Sequence, residues 1–151
     1  MATLTLASYS TIALYQSSDL NSLATGSYAF GSGAGVSSNV LDNTSNLYVE
    51  CDVEIRLGSF NPSGTPYIVF GWLWSVDGST FPDPQTAGAP NAGTPIWTSG
   101  VATGSSAKKI VIPRVPMRPL KGKPLIGNVT GSSFASSGNS CTIAPAGYTI
   151  A

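Results

Sequence analysis

The sequence of 151 residues predicts an all-β fold: an antiparallel β-sandwich, jelly-roll-like, with about eight strands and little or no helix. Short runs rich in Val, Ile, Tyr, Phe and Trp are separated by clusters of Gly, Pro, Asn and Ser, the pattern of strands and turns. Helical periodicity is nearly absent, so there are no crossover helices from which to build a parallel sheet. The 17 glycines and 11 prolines supply turn chemistry throughout. The length suits one domain over 1–151, with an extended N-terminal segment and long Gly/Ser loops.

Residues 3–6 read as the first strand. The best amphipathic stretch, 11–23, is interrupted by Ser17-Ser18-Asp19 and supplies at most a short turn or helix. A strand at 27–30 follows, then one at 46–57, where LYVECDVEIRL alternates strictly. Leu47, Val49, Cys51, Val53, Ile55 and Leu57 point one way, and Tyr48, Glu50, Asp52, Glu54 and Arg56 point the other. The next strand, 66–75 (PYIVFGWLWS), is apolar on both faces, so it is either central or covered on its outer side by a partner. Phe70, Trp72 and Trp74 share one of its faces, and Val69 and Leu73 the other. Strands at 95–97, 108–115, 124–129, 140–143 and 148–150 complete the set. Pro113, Pro116 and Pro119 recur at every third position, and proline cannot donate to a ladder. The segment from 108 is therefore expected to be an edge strand running into an extended arm on a neighbouring subunit. The loops 31–38, 77–94 and 131–139 exceed tight-hairpin length and are expected to order on a neighbour.

Only 9 % of residues are charged, against about 25 % in an average soluble protein, and the formal net charge is zero. Zero charge disfavours a free, soluble monomer and suits life in an assembly. All seven acids lie within the first 83 residues, and six of the seven bases lie between Lys108 and Lys123. Such segregation favours contacts between one molecule's basic segment and another's acidic face, or between the two segments of a single molecule. The N-terminus lacks the basic start of a secretory signal, and no apolar run approaches the roughly 20 residues of a membrane helix. A soluble protein with no membrane partner is expected. Cys51 and Cys141 are expected to be buried free thiols. The triplets Asn43-Thr44-Ser45 and Asn128-Val129-Thr130 match the glycosylation pattern but lack a secretory context.

There is no histidine, which removes the usual Ser-His-Asp and Cys-His systems and the His-containing zinc sites. No glycine motif follows a strand and opens a helix, so no nucleotide cofactor is expected. The basic stretch KKIVIPRVPMRPLKGK carries Lys108, Lys109, Arg114, Arg118, Lys121 and Lys123 but no aromatic ring to stack a base. Subunit contact is preferred over direct nucleic-acid binding. Glu50, Asp52 and Glu54 have the spacing Glu-x-Asp-x-Glu, which resembles the catalytic strand of jelly-roll glycoside hydrolases that cut β-glucans. That resemblance implies Glu50 as nucleophile, Asp52 as its orienting partner and Glu54 as general acid and base. The chain is shorter than that family's domain and lacks its cleft loops, so a charged surface or intersubunit face is the preferred reading. Ligands on one flat strand do not surround a cation, so no metal is expected. Trp72, Trp74 and Trp97 are core residues, interface anchors or a sugar platform.

Three stretches, LDNTSNLYVECDVEI (41–55), SVDGSTFPD (75–83) and GNVTGSSFASSGNSCTI (127–143), together resemble a group of small virion proteins of tailed bacteriophages. The resemblance implies a non-enzymatic β-sandwich that binds the outer capsid surface, commonly as a trimer. It would cement capsomers, with the major capsid protein as partner, on a virion assembled in the host cytoplasm. On that view Glu50, Asp52, Glu54, Trp72, Trp74 and the six bases from Lys108 to Lys123 are the candidate interface. A carbohydrate-binding or host-attachment module of a tail or fibre is the alternative, and a glycoside hydrolase the third reading.

Overall fold

A computed structural model describes residues 4–8, 11–15, 17–33, 35–37, 39–83 and 88–150. Ten strands and one short helix occur among them: β1 (Leu4–Ser8), β2 (Ile12–Tyr15), α1 (Ser17–Leu20), β3 (Tyr28–Phe30), β4 (Leu41–Asp42), β5 (Glu50–Leu57), β6 (Tyr67–Ser75), β7 (Ile96–Gly100), β8 (Lys108–Pro116), β9 (Lys121–Val129) and β10 (Ser140–Ile150). They form two antiparallel sheets. One runs β1-β10-β5-β8, with β2 also on β10, and the other runs β3-β9-β6-β7, with β4 also on β9.

Two of these strands are halves of interrupted ones. β2 pairs with β10 as far as Ile143 and β1 takes over from Ala146, so Pro145 falls where β10 changes partner. Likewise β4 pairs with β9 at Lys121 and Gly122, and β3 from Leu125 to Gly127, which leaves Pro124 in the changeover. A proline inside a sheet must sit where its missing N–H removes no ladder bond, and both lie at such breaks. Counting β1/β2 and β3/β4 as single strands, the eight units are ordered 1-8-3-6 and 2-7-4-5. This is the jelly-roll arrangement the strand count predicted.

The core lies between the sheets. β5 sends Cys51, Val53, Ile55 and Leu57 inward, each at most 1 % exposed, so the alternation holds from Glu50 on. Before it the expectation is corrected, because Leu47, at a positive φ of 54°, and Val49 are exposed ahead of the strand while Tyr48 packs against the core. They meet Phe70, Trp72 and Ile126 of the opposite sheet in one apolar cluster. Trp72 and Trp74 stack at 5.0 Å, and Phe70 meets Trp72 edge-on at 5.5 Å. Gly122, paired with Trp74, makes room for both indoles: a Cβ there would lie 2.6 Å from the Trp74 ring and 3.2 Å from Trp72.

The outer face of β6 is also buried. Val69 and Leu73 of β6 and Leu125 of β9 are at most 4 % exposed, yet stand apart from the central cluster. The register places them with Gly71 and Gly127 on the outside of the sheet. The Tyr28 ring occupies the space a Cβ on Gly127 would need, and Ile96 lies against Gly71. Lys123 spans the Phe30 and Phe81 rings at 5.5 and 4.6 Å, and Phe81, from the β6–β7 loop, is itself buried. The cover that PYIVFGWLWS demanded is thus supplied within the chain.

Several expectations are corrected. Residues 117–120 are a short connection rather than an arm, and Lys121 and Lys123 belong to β9, inside the second sheet. The strands expected at 140–143 and 148–150 are one strand, β10. Within 11–23, β2 precedes the single turn of α1. The loop 131–139 is ordered by the chain itself: buried Asn128 donates to the Leu23 and Ser132 carbonyls, and buried Asn139 donates to Asn21 and the Ala135 carbonyl.

Candidate interface: a charge-paired strand and a basic notch

β5 lies between β10 and β8, so its polar face forms the middle of the first sheet's outer surface. Across from it, β8 carries two residues, Pro113 and Arg114, against the single Asp52. This is a β-bulge, and Arg114 adopts a positive φ of 54° within it. Asp52 stabilises the bulge by accepting the Arg114 backbone N–H at 2.8 Å. The Arg114 side chain turns to Glu50, 3.3 Å away. Glu54 accepts from Lys109, 2.8 Å away on β8, and from Arg56 on its own strand. Lys109 and Arg56 hold the Glu54 carboxyl below the usual carboxylate range.

The acidic row and the basic strand therefore do meet, within one molecule. That arrangement is unsuited to the acid/base role implied for Glu54. A general acid needs a raised pKa and a proton to give, whereas Glu54 is kept ionised by two cations. Among the described residues, the shallow groove beside it, lined by Asp52, Glu54, Arg56, Val111, Ser140 and Thr142 among others, has no aromatic side chain to seat a sugar ring.

Of the remaining site candidates, Trp72, Trp74 and Arg118 line one groove beside the β6–β7 loop, and the others lie apart from it. Trp72 and Trp74 are 1 % and 8 % exposed, so neither is a sugar platform or a surface anchor, and Trp97 is half-buried beside Phe70. The Trp72 indole N–H finds no acceptor among the described residues. Lys121 pairs with Asp42 at 3.7 Å. Arg118 is exposed and makes no ion pair among the described residues, although its carbonyl accepts from Asn43.

Lys108 is the unexpected one. In register with Leu57, it begins β8 on the inward-facing side and is 8 % exposed. Its ammonium donates to the Gly104 carbonyl at 2.8 Å and to Ser106 Oγ at 3.2 Å, both neutral. It lines an open notch of about 750 Å³ at the end of the sandwich, together with Arg56, Lys109, Ser59, Ser136 and Ser137, and no acidic residue lines that notch. The far wall is fixed. The Ser137 carbonyl lies where a Cβ on Gly58 would be, and the Gly58 N–H donates to Asn139 Oδ1 at 3.0 Å.

Both glycosylation triplets are structural. Asn43 and Asn128 are 0 % exposed. Asn43 donates to the Tyr48 and Arg118 carbonyls and accepts the Tyr48 N–H. Asn128 accepts from both the N–H and the hydroxyl of Thr130. Sequence reasoning singled out these asparagines as possible glycan acceptors and missed their role as loop ties. The signal was their place in turns, where Asn side chains bond nearby backbone. The thiols are as expected: Cys51 and Cys141 are free and buried, and burial, with Asp52 nearby, pushes Cys51 up to about 12. No protein-family model matches the chain, and no curated protein is found to be similar to it.

Proposed function

We propose that this is a structural virion protein of a tailed bacteriophage that binds the outside of the capsid, against the major capsid protein, as a decoration or cement protein. The observation that carries this reading is the unequal treatment of the two sheets. The outer face of the second sheet is closed by the chain's own rings and loop. The outer face of the first carries internally paired charges around a shallow groove, with exposed Val111 beside them and the basic notch at its end. A surface whose charges are already neutralised can be covered at modest desolvation cost compared with one of bare ions. Jelly rolls serve widely as rigid building blocks of viral shells. The three phage-like stretches coincide with the Asn43, Asp77 and Asn128 ties, which make rigid loops.

The test is to mix the purified protein with phage heads lacking it and to sediment the mixture, with the native mass measured in parallel. Saturable, stoichiometric binding that raises the temperature of head disruption, by a protein of trimeric mass, is the expected outcome. A protein that never associates with heads refutes the proposal. The host-attachment alternative has lost Trp72 and Trp74 as its platform. Glycan binding unaffected by head association would revive it through other residues.

A further inference from the structure

We infer that the notch around Lys108 is a receptor for a carboxylate side chain presented by a partner polypeptide. The inference rests on the capsid-binding proposal only for who the partner is. Lys108 is 8 % exposed as a residue, with its ammonium part-buried at an open notch. A lysine so largely buried ordinarily has a carboxylate beside it, because neutral acceptors compensate lost hydration only in part. Lys108 has two neutral acceptors, and its third N–H has no partner among the described residues. The other cations at the notch, Arg56 and Lys109, share the single carboxylate of Glu54. The three positive charges thus face one negative charge, and that one lies outside the lining.

The shape and chemistry select among anions. Leu57, Ala107 and Ala135 give the notch an apolar wall, which fits the methylenes of a glutamate and its flanking backbone. Ser59, Ser136 and Ser137 are also among the notch's lining residues, and a serine hydroxyl can donate to a carboxylate. Among the described residues no aromatic lines the notch to stack a base, which disfavours a nucleotide or a nucleic acid. The walls are preorganised by Asn139, whose amide ties Gly58, Asn21 and Ala135 together, so little ordering would accompany binding.

The test uses the whole protein, labelled with 15N, titrated with the peptide N-acetyl-Gly-Glu-Gly-amide, with its Gln counterpart and with inorganic phosphate. The Glu peptide is expected to shift the amides of Gly58, Ser59, Lys109, Ser136 and Ser137 saturably, and the Gln peptide is not. Lys108→Met should weaken the Glu peptide about tenfold or more, the loss expected for one charge-assisted hydrogen bond. Ser137→Glu, which places a carboxylate at the notch, should raise the melting temperature and abolish the peptide shifts. Equal response to the Glu and Gln peptides, tighter binding of phosphate at the same amides, or full peptide binding by Ser137→Glu would each overturn the inference. Head binding separates the two proposals. Peptide shifts without head binding refute the capsid role and leave the receptor standing, whereas head binding unchanged by Lys108→Met, with no peptide shifts, refutes the receptor alone.

Discussion

Replacing Asn128 by alanine tests whether the buried asparagines hold the loops. The Asn128 side chain makes four hydrogen bonds: Nδ2 to the carbonyls of Leu23 at 2.7 Å and Ser132 at 2.9 Å, and Oδ1 from the N–H and hydroxyl of Thr130 at 3.0 and 2.7 Å. That is the full capacity of an amide. In the alanine variant the Leu23 carbonyl keeps the Phe134 N–H, and the Thr130 hydroxyl, whose one proton Asn128 Oδ1 and the Ser132 carbonyl both compete for, is left to the Ser132 carbonyl. The Thr130 N–H, on a residue 0 % exposed, keeps nothing. One orphaned buried donor costs about 1–3 kcal/mol, and each of the three other lost bonds about 0.5–1.5 kcal/mol, for a total of about 2.5–7.5 kcal/mol. In a chain of this size that lowers the melting temperature by roughly 15 °C. Asn128→Asp is the sharper probe. Its carboxylate would still accept from Thr130 but would face the Leu23 and Ser132 carbonyls, so it should be at least as destabilised at neutral pH and recover partly in acid. Urea denaturation of the three proteins measures this. A cost below about 0.5 kcal/mol for Asn128→Ala, the ordinary range of a surface change, would refute the account of Asn128 as a tie.

Gly122→Ala should destabilise the fold by about 1–3 kcal/mol, because the methyl must displace the stacked indoles of Trp72 and Trp74. Trp fluorescence during denaturation would report it, and wild-type stability would show that the indoles yield freely. Cys51 and Cys141, buried with raised pKa values, should resist a thiol reagent at pH 8 until the protein is unfolded. Rapid labelling of the native protein would contradict that burial. Asp77 accepts from the Thr80 and Ser79 N–H groups, which hold its carboxyl far below the usual range. Its folded pKa lies below the unfolded value of about 3.9, so its stabilisation is complete above that value and fades as pH falls below it. The stability gap between wild type and Asp77→Ala should be constant above about pH 5 and close on acidification. A gap that widens in acid would reverse the assignment.

Local patterning carried most of the fold. The alternation fixes β5 over 50–57, because a half-buried strand has only one register that hides its apolar side, but it runs three residues too far: Leu47 takes a positive φ and leaves the pattern before the strand begins. β2 and β4, four and two residues long, escaped because a strand that short has too little periodicity to register. β10 was divided in two because Pro145 reads as a break, and only tertiary pairing reveals that the break belongs to its neighbour. Lys121 and Lys123 misled for a related reason. Their charge argues for a surface arm, but Lys123 lies across two rings and Lys121 reaches Asp42, so each reconciles a charged head with a place in the sheet. The acidic row was visible as a row. Its partners were visible only as a basic stretch about sixty residues away, and no one-dimensional pattern says whether such segments meet within a chain or between chains.

The structure answers that question unevenly. Arg56, Lys109, Arg114 and Lys121 are paired with carboxylates of the same molecule, and Lys123 lies over aromatic rings. Lys108 and Arg118 have no carboxylate among the described residues, and they stand at opposite ends of β8. Asp83, exposed on the β6–β7 loop, is an acid without an ion pair among the described residues. A chain of zero net charge has thus paired the charges of its broad face and left Lys108, Arg118 and Asp83 without an ion pair among the described residues. Contacts made through ends that differ from one another are heterologous, and heterologous contacts close into rings or continue along a lattice. If the proposed capsid role holds, Lys108 and Arg118 are the charges left for a neighbour's carboxylates, and a partner bearing cations there would be repelled.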